Sequence, residues 1–154
     1  LMKDNLKVKD NVEITITKKS GEKISITGHN FLTNPGRLWL INRLSTTVTA
    51  PPIGYFAVGS GDGATVNSTT LVTEIGRVAV DSVAVGTDSD ADKLVANITV
   101  ASDECMGILS EFGLFTSSSG GTMVAYIDKN FVSSLPVTKE LGDVMTIRWL
   151  LQPQ

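Results

Sequence analysis

The sequence predicts a mainly β protein: a single β-sandwich or barrel-like domain with an N-terminal β-hairpin and one short helix. Three observations predict this. Apolar residues alternate with polar ones, as in Val8, Val12, Ile14 and Ile16 or Leu94, Ala96, Ile98 and Val100, which places each set on one face of a strand. These runs are short, and polar connections rich in glycine, serine and aspartate separate them. Only one segment carries helix punctuation. With 154 residues the chain is long enough for one domain with a real core. Residues 1–28 read as a hairpin arm and residues 29–154 as the β-rich domain, with no internal repeat or linker between further units.

The elements follow in order. A first strand runs from about Leu6 to Lys18, a turn at Lys19–Lys23 uses Gly21, and Lys23–Thr27 returns with Ile24 and Ile26 in phase. Asn34 is the expected N-cap of a helix, Pro35 stands where proline is favoured, and Leu38, Ile41 and Leu44 recur at helical spacing. With Trp39 and Leu40 also apolar, the helix is expected to be mostly buried, and Pro51-Pro52 forbids its continuation. Strands are expected near Ile53–Val58, Arg77–Val85, Lys93–Ala101, Gly107–Phe115, Met123–Asp128 and Val144–Leu151. In Arg77–Val85 the apolar phase slips at Asp81-Ser82, which predicts a bulge.

Composition narrows the function. Hydrophobic residues make up 42% of the chain and charged residues 19%, ordinary for a globular protein. A net charge of −3 argues against a general nucleic-acid binder or a partner of anionic membranes. No apolar run reaches the roughly 18 residues that span a bilayer. The start, LMKDNLKVKD, lacks the apolar core of a signal peptide, so an intracellular site of synthesis is expected. A single cysteine, Cys105, excludes an intramolecular disulfide framework.

Several stretches invite a chemical reading. YFAVGSGDGATV (55–66) fits the dinucleotide pattern G-x-G-x-x-G/A after a strand, but the adjoining stretch ATVNSTTLVTEIG carries no helix to hold a pyrophosphate. The glycines therefore mark a turn. Asp88, Asp90 and Asp92 suggest calcium, yet the sixth and twelfth places counted from Asp88 hold Lys93 and Thr99 instead of glycine and glutamate. A solvated turn is expected, with a weak surface cation site as the alternative. His29 is the only histidine and has no nucleophile motif near it, and Cys105 has no activating base in sequence. No catalytic, cofactor-binding or metal-binding residue is assigned, and no enzyme is read. Glu111 in GILSEFGLF and Arg77 in LVTEIGRVAV are charges in apolar settings, where an unpaired ion is costly. Arg77 is expected to pair with Glu111 or Glu74 and to fix the loop after Thr73 onto a sheet.

The order of segments FLTNPGRLWLINRL, YFAVGSGDGATVNSTTLVTEIGRVAV, GILSEFGLFTSSSGGTMVAYIDKNF and MTIRWLLQ resembles a family of small tailed-bacteriophage virion proteins. The shared features are a Thr-x-x-Gly-Arg helix entry (Thr33, Gly36, Arg37), an AVG-x-G turn (Ala57 to Gly61), a Leu-x-x-Glu-x-x-Arg step (Leu71, Glu74, Arg77) and a Glu-x-Gly-Leu-Phe strand (Glu111 to Phe115). The resemblance covers about residues 30–151. It implies a β-rich, non-enzymatic, particle-bound virion protein without cofactor, in a family that spans capsid decoration and tail-fibre-associated proteins, and shell decoration bound to the major capsid protein is the expected role. A tail-fibre, collar or baseplate attachment module is the alternative, and a glycan-binding receptor module a third. The implied role suggests a homo-oligomer, with a trimer as the guess. The charged hairpin lies outside the resemblance, and its Lys7, Lys9, Lys18, Lys19 and Lys23 form a candidate contact arm.

Overall fold

The computed structural model describes residues 8–153, with side chains from Asn11 to Gln152. In chain order the elements are β1 (Val8–Thr17), β2 (Lys23–Gly28), β3 (Phe31–Leu32), α1 (Asn34–Leu44), β4 (Tyr55–Gly59), β5 (Glu74–Ala79), β6 (Ser82–Val85), β7 (Leu94–Val100), β8 (Gly107–Leu109), β9 (Glu111–Phe115), β10 (Met123–Asp128), β11 (Val137–Lys139) and β12 (Val144–Pro153). All strand pairs are antiparallel. One five-stranded sheet has the order β2-β1-β12-β7-β6, a second has β3-β10-β9-β4-β5, and β11 pairs with β8. The protein is thus a mainly β domain with several antiparallel sheets and one short helix.

One core draws on both large sheets. Ile14, Ile16, Ile147 and Trp149 come from the first, Phe56, Phe112 and Leu114 from the second. Phe56 stacks on Phe112 with ring centroids 5.7 Å apart and meets the edge of Trp149 at 6.3 Å. Each such side chain, fully buried, contributes about 1.5–3 kcal/mol. A smaller cluster of Ala57, Leu71, Phe115, Met123 and Tyr126 covers the other face of the second sheet. β9 and β10 are therefore buried on both faces, which is why EFGLF and MVAYID read as unbroken apolar runs.

The hairpin is built into the domain. β1 lies between β2 and β12, and its even-numbered face (Val12, Ile14, Ile16) joins the core together with Ile26. A strand with that much apolar surface needs the sheet and cannot stand off as a separate arm.

Four local expectations change. The N-cap is Thr33, not Asn34: its hydroxyl accepts from the Gly36 N–H at 2.9 Å and donates to the Met123 carbonyl. The helix is not mostly buried. Only Gly36 and Trp39 are enclosed, because α1 lies along β10 and can present just one side to it. The break at Asp81-Ser82 is a change of sheet, since β5 belongs to the second sheet and β6 to the first. Gly107–Phe115 is two strands, parted at Ser110, whose N–H turns to the Gly59 carbonyl and whose hydroxyl turns to Gly61.

Candidate functional site

The segment between β4 and β5 is the most constructed feature of the molecule. Glu111, on β9, is fully buried beneath it, and its carboxylate accepts from the Val72 N–H at 2.6 Å and the Thr73 N–H at 3.4 Å. Gly59 and Gly61 are glycines because the chain runs against that carboxylate. A Cβ on Gly59 would lie 2.7 Å from Glu111 Cγ, and one on Gly61 would meet its Oε2. Burial pushes the Glu111 carboxyl above its ordinary value, opposed by the N–H groups of Val72, Thr73 and Gly61. The glycine pattern thus serves a protein carboxylate, and the loop it shapes lays Leu71 on the outer cluster.

Asp128, the cross-strand partner of Glu111, secures the same loop further along. It accepts from the Gly63 N–H at 2.9 Å, the Asn130 N–H at 2.8 Å and the Tyr126 hydroxyl at 3.1 Å. Burial, with Glu111 and Asp128 nearby, pushes the Tyr126 phenol well up from its ordinary value.

Arg77 pairs with Glu74 at 2.7 Å and makes no ion pair with Glu111. Its Nη1 donates to the carbonyls of Ser117 at 2.8 Å and Gly120 at 2.9 Å, and its guanidinium lies 3.7 Å from the centroid of Phe115. Two loops are therefore held by two different charges: Glu111 fixes the segment at Val72-Thr73, and Arg77 fixes the turn between β9 and β10.

Two of the three aspartates of the acidic turn at 88–92 are paired within the chain. Lys93 reaches Asp90 at 3.0 Å and Asp92 at 3.5 Å, while Arg148 donates to Asp90. These hydrogen bonds hold the Asp90 carboxyl below its usual value and raise the Lys93 ammonium.

Among the lysines of the candidate arm, Lys18 is committed inside the chain. It donates to Asp143 and to the Thr138 carbonyl, each at 2.8 Å. Asp143 also accepts from the backbone of Glu140 and Lys19, and its carboxyl is lowered to about 2, chiefly by Lys18. Lys19 and Lys23 are exposed, Lys9 lies in β1 opposite Gln152, and Lys7 is outside the described residues.

Lys139 is buried, its ammonium donating to the carbonyls of Ala101 and Glu104 at 2.8 Å each, and burial lowers it. The same turn holds Cys105, half-buried with its thiol pushed up by burial. His29 comes just after the end of β2. Among the described residues no three His, Cys, Asp or Glu side chains are grouped to hold a metal, and no helix is long and apolar enough to cross a membrane. Trp39, Phe56, Phe112, Phe115 and Trp149 are buried and offer no stacking face to a sugar, Tyr55 is half-buried, and Phe131 is exposed beside Phe31. An apolar recess of about 320 Å³ lies between α1 and the β6–β7 side of the first sheet, lined by Trp39, Leu40, Val85, Leu94 and Leu151.

Comparison with protein-family models, curated proteins and solved structures finds no match.

Glu74, Arg77 and Glu111 stand out in the sequence as charges in apolar settings, and Thr33 as part of the helix entry though not as its cap; Asp128 and Ser110 do not stand out. For Thr33 the signal was present, because a Thr three residues before Gly36 is a capping spacing. Asp128 closes an Asx turn onto Asn130 in the stretch Asp-Lys-Asn, which is equally legible. Nothing in the sequence ties Ser110 to Gly61.

Proposed function

We propose that this protein is a non-enzymatic structural component of a bacteriophage virion, a decoration protein that binds the major capsid protein on the outer shell. The observation that carries the reading is where the residues of the resemblance fall. Thr33 and Gly36 seat the helix on the Met123-Val124 backbone, Glu111 anchors the Val72-Thr73 segment, and Arg77 with Glu74 anchors the Ser117–Gly120 turn. These residues, though not the exposed Arg37, are spent on fastening helix and loops to one sheet, which suits a module whose work is to keep its shape on a particle. We read the two large sheets, with their shared core, as the layers of a β-sandwich. In this reading the protein is made in the host cytoplasm, acts without cofactor, and contacts its partners through the surfaces that the fold leaves open.

Quantitative mass spectrometry of purified virions, against the major capsid protein, tests the proposal. A copy number comparable to the capsid subunit is expected. A trace ratio would move the protein to the tail or baseplate, and absence from washed particles would overturn the virion role.

A further inference from the structure

Helix α1 turns its most apolar stripe away from the domain. Leu38 is 59% exposed, Ile41 62% and Leu44 79%, and residues three apart share one face of a helix. Arg37 is exposed on the same side, whereas Arg43 bends inward to donate to the Ala50 carbonyl at 2.8 Å. No Asp or Glu occurs from Lys23 to Gly61, so the only charge in this stripe is positive.

A second apolar surface has the opposite charge. Ile75, Met106, Ile108 and Leu141 are 40%, 43%, 60% and 68% exposed. They belong to one neighbourhood. A Cβ on Gly107 would meet Ile75 Cδ1 at 3.5 Å, one on Gly76 would touch Cys105 Sγ, and the Gly142 N–H donates to Ser102 at 3.0 Å. Asp103, Glu104 and Glu140 are exposed around it, and Glu74 is paired with Arg77. Of the nearby lysines, Lys139 is buried with its ammonium bonded to carbonyls while Lys19 packs on Gly142, so the balance stays negative. Ile75 is also the residue left over where β4 and β5 shift register, which pushes it out of the ladder.

The two surfaces lie towards opposite edges of the second sheet. α1 packs on β10, next to the edge strand β3, and Ile75 sits on the other edge strand, β5. We propose that copies of this chain associate head to tail, the Leu38–Ile41–Leu44 stripe of one docking on the Ile75–Ile108 edge of the next, with Arg37 facing its carboxylates. Complementarity of charge selects a second copy as the occupant. A two-fold pairing of helix stripes would instead bury them with no carboxylate facing Arg37, because none occurs in residues 23–61. A contact between two different surfaces closes into a ring when its rotation allows and otherwise runs on as a filament. This inference goes beyond the virion role and does not depend on it.

The test exploits the asymmetry of the contact. Leu38→Asp with Ile41→Asp disables the stripe, and Met106→Asp with Ile108→Asp disables the edge. Sedimentation velocity should show the wild type as an oligomer and each double variant as a monomer. An equimolar mixture of the two variants should give dimers and nothing larger, because one intact stripe and one intact edge remain. A monomeric wild type, an edge variant that still assembles, or a mixture that stays monomeric would each overturn the proposal. Arg37→Glu, which disturbs no packed side chain, provides the same readout if the aspartate variants misfold. It should weaken assembly, and added salt should weaken that of the wild type; an unchanged association with Arg37→Glu would also overturn the proposal.

Discussion

Replacing Glu111 by alanine should loosen the loop between β4 and β5 while leaving both large sheets paired. The carboxylate is fully buried and accepts from Val72 and Thr73. Removing it strands those donors, at about 1–3 kcal/mol each, and opens a small cavity. The expected loss is about 3–5 kcal/mol, and at about 2–4 °C per kcal/mol the melting temperature should fall by roughly 10 °C. Urea unfolding should show a lower midpoint, and hydrogen exchange should show the Val72 and Thr73 amides losing protection before those of β9. The pH dependence separates burial from hydrogen bonding. Because burial raises the folded-state carboxyl above its ordinary value of 4.5, its contribution is complete below that value and is lost as pH rises through the folded-state value. Glu111→Gln does not titrate, so the advantage of the wild type over it should narrow from acid to neutral pH. An advantage that widens with pH, or a Glu111→Ala melting temperature equal to that of the wild type, would refute this account.

Three further outcomes are expected from the same contacts. Arg77→Met keeps a stem over Phe115 but loses the bonds to Ser117 and Gly120, and thermal melts should show a loss of about 2–4 kcal/mol, whereas Glu74→Gln at the exposed end should cost under about 1 kcal/mol. Gly36→Ala would drive a Cβ into the Val124 backbone and should cost at least about 1–3 kcal/mol; Gly54→Ala, with nothing within 4 Å, should be neutral or stabilising in the same assay. Asp143, lowered to about 2, contributes stability that is present above its ordinary 3.8 and lost as pH falls through about 2. Acid titration should therefore show the wild type and Asp143→Asn converging over that window.

Period-two alternation made the first sheet legible, because β1 buries one face and β7 and β12 do so everywhere but at the paired Val95 and Leu150. The second sheet was harder. β9 and β10 are buried on both sides, so their apolar runs carry no phase, and the split at Ser110 depends on contacts with Gly59 and Gly61 that lie far off in sequence. The change of sheet after Ala79 looked like a bulge because both events interrupt alternation in the same way. At the loop, the glycine pattern and the isolated charges were visible individually. Which charge met which backbone was not, since Arg77 and Glu111 face different loops only once β4, β5 and β9 are aligned. The helix misled most: its apolar spacing is real, but spacing does not say whether the surface it meets belongs to the same chain.

The position of β12 has a consequence for the growing chain. It is the last described strand to be synthesised, yet it lies in the middle of the first sheet, between β1 and β7. Until it emerges from the ribosome, the β1–β2 and β6–β7 hairpins have no strand to join them, and each shows an unpaired edge. A chain cut short before Val144 would leave two separate hairpins over a half-open core. Closure of the core thus waits for the segment Val144–Pro153, and only a chain that includes it can hide the facing edges of β1 and β7.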